Sequence, residues 1–462
     1  MRLNTRGWRS ARAYPLPAAV GAPASAAPAV RLTPEVSAAT AAPYVWPWQN
    51  VKWTFAFVAF CVYSVTIITY IAPLGQIAMI AALIGLALGT ERVRFPAPLL
   101  FFVAYYIWAV AMWPSSNWGI IVKATLLDVG RVVLIFLVAI NVLGEKSRLR
   151  FYIFLYLAAF ALYPVRGAIF NQFIYHAALL GRISWNNMFS NPNDLAALLL
   201  SPLGVAAGLL YTERHKYLRT AALVGVALIS LIVFLTQSRG GILALAFFGA
   251  IVIARQKRRL RMLPALIGVL AVVVLFAPDS VWTRLKNLRT ATSSGELLKA
   301  EDQGSAEQRF EIWKVAVAIS KDHPFTGAGL GAYPYYHWSY ARMTMQNFKR
   351  TSRGLRDAHS SYLTALAETG VPGLVFWLAV FISAYMYSQR ARRIIKHSDP
   401  DTERQIFFMQ AAMLAFGAAA IFGSWNNIPF PYIHVSLLYS MAYVAIEQQR
   451  RAQRTAYAAR VA

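Results

Sequence analysis

The sequence predicts an all-α, polytopic integral membrane protein with about twelve transmembrane helices. Of its 462 residues, 58% are hydrophobic and only 14% are charged, and the mean hydropathy is +0.47. A soluble domain needs more polar surface than this. Several apolar runs are also long enough to cross a hydrocarbon core of about 30 Å. Lys and Arg gather in alternate connections between these runs, as they do in polytopic proteins.

The apolar runs divide the chain into spans, loops and tails. The predicted spans lie near residues 52–72, 74–89, 97–113, 122–143, 149–166, 194–211, 217–236, 240–254, 262–278, 371–388, 406–422 and 430–447. The resulting regions are a disordered cytoplasmic tail at 1–50, spans one to nine at 51–278, a large periplasmic loop with an amphipathic helix at 279–358, a short outer helix with spans ten to twelve at 359–447, and a basic cytoplasmic tail at 448–462.

The basic connections orient the chain in the membrane. Segments such as "EKSRLR", "ARQKRRLR" and "QRARRIIKHSDPDTER" alternate with less basic loops. The positive-inside rule places the basic segments and both termini in the cytoplasm. The net charge of +26 is therefore mostly a topology signal, with added attraction to anionic lipid, and a nucleic-acid partner is not expected.

Composition also limits the chemistry of the outer face. The single cysteine, Cys61, lies in the first apolar run, so a disulfide framework is excluded. The outer loops contain neither a Cys/His cluster nor an acidic pair with metal-ligand spacing. The sequence therefore predicts neither a metal nor a cofactor.

Two arginines are candidate anion ligands. Arg239 lies in "TQSRGG" at the outer end of the seventh span, against the charge rule, and two glycines that permit close backbone approach follow it. It is either an interfacial arginine or a phosphate ligand, because a guanidinium matches phosphate oxygens bidentately. Arg309 lies in the first turn of the loop helix "RFEIWKVAVAIS", where it either pairs with Glu307 or Asp302 or binds an external anion.

His359 in "DAHSSYLTALAETG" is the candidate base. Gly370 and Pro372 predict that this stretch is a separate outer helix and that the span proper begins near residue 371. His359 is then either a surface histidine or a neutral imidazole that accepts a proton from a hydroxyl nucleophile. Asp357 or Glu368 would orient it, and Asp357 is the better candidate.

Other polar residues have simpler interpretations. Asn193 and Asp194 belong to the turn "NPND", where helix capping alone explains Asp194. Asp128 and Arg131, at i and i+3, predict a structural ion pair that faces the bundle interior. The loop helix has an apolar face of Phe310, Trp313 and Val317, which repeat at i, i+3 and i+7. "GAGLG" is a weak signal for phosphate binding.

These motifs together resemble a known family. "FSNPNDLA", "QSRGGILAL", "RFEIWKVAVAISKDHPFTGAGLGAY" and "HSSYLTALAETGVPGL", in this order, are similar to the bacterial O-antigen ligase and polymerase superfamily over roughly residues 185–440. The last of the four is the most specific.

The resemblance implies a GT-C-like fold and a metal-independent, inverting glycosyltransferase of the bacterial inner membrane. The donor would be a glycan on undecaprenyl pyrophosphate, and the acceptor a hydroxyl group, most simply on lipid A-core. Arg239 and Arg309 match the family's pyrophosphate ligands and His359 its essential histidine. The active site would be periplasmic, with Asp357, Glu368, Asn193 and Arg131 as candidate supporting residues.

Other functions fit the same sequence. An O-antigen or exopolysaccharide polymerase and a protein O-oligosaccharyltransferase share the local motifs. A lipid-linked sugar flippase or transporter also fits twelve spans with both ends inside. Transporters commonly show two similar halves with sites near the bilayer midplane, whereas the candidate residues here cluster outside.

Overall fold

The protein is described by a computed structural model over residues 44–71, 73–177, 181–255, 306–345 and 355–461. The regular elements of these ranges are helices. They are α1 Phe55–Thr69, α2 Gly75–Ala87, α3 Ala97–Ala111, α4 Gly119–Val142, α5 Lys146–Phe160, α6 Arg166–Phe173, α7 Pro192–Leu198, α8 Leu200–Thr212, α9 Lys216–Leu235, α10 Arg239–Arg255, α11 Ala306–Asp322, α12 Tyr333–Thr344, α13 Ser361–Ile395, α14 Pro400–Ala419 and α15 Pro429–Val461.

The all-α prediction is confirmed for this part of the chain. Every predicted span that lies within the described ranges is a helix, whereas the ninth, 262–278, and most of the tail at 1–50 lie outside them. Within the ranges that the structure describes, five helical segments are long and apolar enough to cross a membrane. They are Gly119–Val142, Lys146–Phe173, Pro192–Thr212, Lys216–Leu235 and Ser361–Ile395. The chain is thus a multi-pass membrane protein, and the count of twelve spans stays a prediction.

The long helices pack around an aromatic core. Helix α13 contacts α3, α14 and α15, while α14 also packs against α8 and α10. Phe102 and Tyr432 stack with ring centroids 3.9 Å apart. The Tyr432 hydroxyl receives a hydrogen bond from the Trp377 indole at 3.2 Å and donates to the Asn426 carbonyl at 2.6 Å. The core therefore anchors the loop that joins α14 to α15.

Helix α13 is broken at Gly370, as the sequence predicts. Gly370 has φ 68° and ψ −175°, which is non-helical, so residues 361–369 form a short helix and the long helix follows. A side chain at Gly370 would overlap the Phe325 carbonyl, and that carbonyl's neighbour, Pro324 O, accepts the Val371 N–H at 2.8 Å. The break needs glycine because the backbone is left-handed and closely packed.

The Gly-rich segment packs on this break instead of presenting free N–H groups to phosphate. The N–H groups of Ala328 and Gly329 donate to the carbonyls of Ala367 and Glu368, at 2.8 and 2.9 Å. Helix α12 follows at Tyr333, which sequence reasoning missed. Pro334 in its first turn is compatible with helix initiation.

Helix α11 ends at Asp322, near the predicted "KDHP" stop, but its main packed face differs from the predicted apolar face. Its buried residues include Ile312, Val315 and Ile319, whereas Phe310 is 57% exposed and Val317 39%. Helix α11 has apolar residues on two faces. The face that packs against α12 and α13 is not the predicted one.

The predicted ion pair of α4 forms, but it does not face the interior. Arg131 Nη1 lies 2.6 Å from Asp128 Oδ1, and both side chains are exposed, at 48% and 63%. The buried side of α4 is defined by residues such as Val122, Leu126 and Val129. Asp128 and Arg131 fall on the opposite side, so the structure does not direct Arg131 toward the predicted site.

Candidate active site

His359 lies directly before α13, at the end of the bundle that we call the site end. Its backbone is left-handed with φ 48°, which is uncommon outside glycine and is found disproportionately at functional positions. Ser360 then caps the helix. The Ser361 N–H donates to the Ala420 carbonyl at 2.8 Å and its hydroxyl to the Gly423 carbonyl at 2.7 Å. The segment that carries His359 is thereby fixed to the loop after α14.

Arg239 is the first residue of α10, whose long axis begins at the site end. The Ser238 hydroxyl accepts the Gly241 N–H at 3.2 Å and so caps this helix. Side chains at Gly240 and Gly241 would press into Phe422 and Ala196 respectively. The two glycines therefore allow the start of α10 to pack between α7 and the 420–427 loop. The close backbone approach that they permit is to neighbouring protein atoms. Arg239 itself remains exposed.

Phe422 brings the elements of the two arginines together. It packs against Gly240, next to Arg239, and its ring centroid lies 6.2 Å from that of Trp313. Trp313 is one helical turn after Arg309, on the same side of α11. Arg239 and Arg309 are thus 70 positions apart in sequence, but the helices that carry them both contact Phe422.

Three charged residues act on the His359 imidazole. The surrounding protein lowers its pKa by displacing water, although the ring keeps access to solvent. The Asp357 carboxylate opposes this effect and raises the pKa, whereas Arg309 and Arg356 lower it further. The net shift is downward, so the imidazole is favoured in its neutral form, which can accept a proton.

The two candidate orienting carboxylates have different environments. Asp357 is exposed and within electrostatic range of His359. Glu368 is only 4% exposed, and its carboxylate accepts hydrogen bonds from the backbone of Gly331 and from the Tyr333 N–H, the latter at 3.3 Å. Glu368 therefore ties the Gly-rich segment to the short helix, and Asp357 is the carboxylate that acts on His359.

The turn "NPND" differs from its prediction. Asn191 caps α7 by accepting the Asn193 N–H at 2.8 Å, so Asp194 is not the cap. Asn193 accepts a hydrogen bond from Arg182 at 3.0 Å, and Arg182 also donates to the Thr236 carbonyl. Asn193 thus supports the start of α7 against the end of α9. Asp194 instead accepts a hydrogen bond from the Trp425 indole at 2.9 Å.

Sequence reasoning also missed two residues beside His359. Arg356 lies within electrostatic range of both His359 and His337. His337, on α12, is fully buried, and its Nδ1 lies 3.1 Å from the Tyr333 hydroxyl. Burial lowers the pKa of His337 to about 4, and the nearby Arg356 and His359 side chains lower it further. The sequence "RDAH" already places Arg356 near His359. His337 belongs to another helix and approaches His359 only in the folded protein.

An apolar groove begins beside the site and runs between α10, α13 and α14. Its volume is about 440 Å³, and it is lined by residues including Phe247, Tyr362, Trp377, Phe381, Phe416 and Ile421. Tyr362 is three residues from His359, and Ile421 precedes Phe422. Ile382, at 54% exposed, and Ile421, at 40%, show that the groove opens toward the surface of the bundle.

The described residues contain no group of three or more His, Cys, Asp or Glu side chains placed to hold a metal ion. The groups around His359 are a second imidazole, that of His337, with separate carboxylates and several guanidinium groups. This arrangement suits binding of an anion and transfer of a proton.

Comparison with known proteins identifies a similar family and a similar curated protein. The family model described as O-antigen ligase matches residues 224–378, which include Arg239, Arg309 and His359. The exopolysaccharide production protein ExoQ of Rhizobium meliloti (strain 1021) is 28% identical over 147 residues. That alignment covers 31% of this chain and 32% of the relative, so it spans about a third of the curated protein.

The described helices therefore define a multi-pass membrane protein, one segment of which is similar to O-antigen ligases. The chain carries an O-antigen ligase domain over residues 224–378, which confirms the resemblance predicted from its motifs.

Proposed function

We propose that the protein transfers a glycan from undecaprenyl pyrophosphate to an acceptor hydroxyl at the periplasmic face of the bacterial inner membrane, by an inverting mechanism that needs no metal. The observation that carries this proposal is the placement of His359 beside Asp357 and Arg309, at the mouth of an apolar groove. Such a site combines a base, an anion-binding group and room for a lipid.

Arg239 and Arg309 bind the donor pyrophosphate in this proposal. Their elements meet at Phe422, and Arg239 stands at the positive end of the α10 dipole. Pyrophosphate is already a good leaving group, so a general acid is dispensable. The reaction needs stabilisation of the negative charge that grows on the departing phosphate, and two guanidinium groups supply it.

His359 removes the proton from the attacking hydroxyl. Its lowered pKa keeps the imidazole neutral at the pH of the reaction, and Asp357 stabilises the imidazolium that forms. The bond between the anomeric carbon and the pyrophosphate oxygen breaks as the new glycosidic bond forms on the opposite face of the sugar. Configuration is therefore inverted.

The apolar groove holds the polyprenyl chain. Nearly all of its lining is aliphatic or aromatic, and its upper wall includes Tyr362 and Ile421 next to the site. A lipid lying there would leave its pyrophosphate at the level of Phe422 and the two arginines. This geometry explains why a site that handles a charged headgroup lies at the end of an apolar bundle.

The acceptor defines two candidate functions. Ligation to lipid A-core is the expectation from the sequence motifs. The similarity to an exopolysaccharide production protein favours a second candidate, polymerisation, in which another lipid-linked glycan supplies the hydroxyl.

Reconstitution tests the proposal directly. The purified full-length protein, in nanodiscs with undecaprenyl-pyrophosphate glycan, is given lipid A-core, a second lipid-linked glycan or a Ser/Thr peptide as acceptor. We expect His359→Ala to lower transfer by about 10²- to 10⁴-fold while insertion and melting temperature are retained. His397→Ala, at an exposed histidine near the opposite end of α13, is the matched control and should transfer normally.

Two results would contradict the proposal. Full transfer by His359→Ala would remove the base, and loss of transfer by the wild type in EDTA would remove the metal-free mechanism. Translocation of the intact lipid-linked glycan without transfer would identify a flippase.

A further inference from the structure

His337 is a fully buried histidine that the proposed reaction does not yet use. It lies in α12, one helical turn after Tyr333. The His337 ring is within electrostatic range of Arg356 and His359, and Tyr333 is within range of Asp357. Two residues one turn apart thus face the same segment, so this side of α12 lies against the chain that carries the candidate base.

The hydrogen bonds of α12 determine which nitrogen of His337 carries the proton. The Tyr333 hydroxyl donates its only proton to the Ile312 carbonyl at 3.1 Å. Its oxygen therefore accepts from His337 Nδ1, which lies 3.1 Å away, so Nδ1 is the protonated nitrogen. Burial lowers the pKa of His337 to about 4, so the ring is neutral at ordinary pH. A neutral imidazole has one ring proton, and Nε2 therefore keeps a free lone pair.

That lone pair has no hydrogen-bond partner among the described residues. His337 Nε2 is buried and unpaired, although Nδ1 of the same ring is paired. A buried acceptor without a donor is costly, so this nitrogen requires an N–H or O–H group when the site is at work. The two side chains whose charges act on His337 are Arg356 and His359, and both carry N–H groups.

We propose that His337 is a positioning residue for His359, whose ring N–H donates to His337 Nε2. A base needs a lone pair on one ring nitrogen, so the other nitrogen of His359 carries a proton that requires an acceptor. His337 offers that acceptor from a buried position, whereas Asp357 is exposed and acts through its charge. The contact fixes the tautomer of His359 and directs its free nitrogen toward the attacking hydroxyl. This inference rests on the proposed transfer function.

The contact is most important in the transition state. His359 becomes positively charged as it takes the hydroxyl proton, and a hydrogen bond from a charged donor is about twice as strong as one from a neutral donor. The Arg356 charge helps to keep His337 neutral, because it lowers the pKa of that ring. Catalytic hydrogen bonds of free enzymes commonly tighten only when substrate is bound. Loss of His337 should therefore lower kcat and leave the KM values nearly unchanged.

Kinetics of transfer in nanodiscs test this role. His337→Phe removes the acceptor nitrogen and keeps a ring at the same position. We expect kcat to fall about 10- to 100-fold, as for loss of a hydrogen bond to a charged group, while both KM values stay within about twofold. His337→Gln keeps an amide oxygen near the position of Nε2 and should restore kcat to within about fivefold of the wild type.

The matched control is His323→Phe. The His323 ring packs on Tyr336 of the same helix, with 5.9 Å between the ring centroids, so its replacement perturbs α12 without touching the acceptor nitrogen. This variant should transfer at the wild-type rate. A wild-type kcat in His337→Phe overturns the inference. Equal losses in His337→Phe and His337→Gln also overturn it, because they indicate a packing role alone.

A spectroscopic measurement tests the contact without turnover and without substitution of His337. Nitrogen NMR of the nanodisc protein with isotope-labelled histidines reports the tautomer and the hydrogen bonding of each ring nitrogen. We expect His337 to be protonated at Nδ1, and its Nε2 signal to be that of a hydrogen-bonded acceptor when undecaprenyl pyrophosphate is added. His359→Ala should return this signal to the unpaired position, whereas Arg356→Gln should not.

The NMR result also separates this inference from the proposed function. Protonation of His337 at Nε2, an Nε2 signal that stays unpaired, or one that depends on Arg356 instead of His359 refutes the positioning contact. A contact that forms in a protein with no transfer activity supports the pairing of the two histidines and refutes the transfer function only.

Discussion

Carboxylates serve different purposes at the two ends of the bundle. Helices α10 and α13 both run from the site end to an opposite end, which we call the basic end. At the basic end, Glu403 is 7% exposed and pairs with Arg255 and with Arg392, whose Nε lies 2.9 Å away. At the site end, Asp194 and Glu368 accept hydrogen bonds from the neutral donors Trp425 and Tyr333.

The carboxylate at the basic end therefore contributes to stability, whereas those at the site end are placed near the candidate chemistry. A carboxylate held between two arginines joins the helix ends, and its negative charge is balanced by its two partners. Asp194 instead accepts from a neutral indole N–H, so this contact holds its carboxylate in position without pairing it with a cation. Both ends contain arginines and carboxylates, so composition alone does not distinguish them.

The strongest test of this comparison exchanges arginine for lysine at both ends of α10. Arg239→Lys should reduce kcat/KM for transfer by about 100-fold, because an ammonium cannot form the bidentate contact with phosphate. The measurement is the initial rate of glycan transfer in nanodiscs. Arg255→Lys, at the other end of the same helix, should transfer normally because it retains its pairing with Glu403. Wild-type turnover by Arg239→Lys would refute bidentate binding.

The second test removes the carboxylate of the basic end. Glu403→Gln leaves two arginines without their anionic partner and should destabilise the protein by about 2 kcal/mol, with little change in the KM values. Thermal unfolding in detergent measures the effect. The control is Glu447→Gln, since the Glu447–Arg450 pair is exposed and contributes little. Equal melting temperatures for both variants would show that the buried pairing does not stabilise the helix ends.

The smallest effect concerns the pH dependence of the site end. Asp357 raises the pKa of His359, so Asp357→Asn should lower that pKa and move the acidic limb of kcat/KM to lower pH. Arg356 lowers the pKa, so Arg356→Gln should raise it and move the same limb to higher pH. The pH–rate profiles of the two variants should therefore shift in opposite directions. A shift in the same direction would contradict the assignment of His359 as the base.

The sequence by itself determined the features that depend on local composition and short spacing. Apolar run length predicted the helices, because a membrane helix must satisfy its backbone internally over a fixed thickness. Gly370 predicted the break before the long helix, because a left-handed backbone favours glycine. The motifs around Arg239, Arg309 and His359 predicted the family, and with it the residues to examine.

The tertiary structure alone decided which side chains meet and which face each helix buries. It placed Asp128 and Arg131 on the outer side of α4, and it buried Ile312 instead of Phe310 on α11, because neighbouring helices select among several apolar faces. It brought Trp425 to Asp194 over 231 positions, a distance at which spacing carries no information. Long-range contacts depend on the packing of the whole bundle, so the pairing of Trp425 with Asp194 could not be predicted from any single segment.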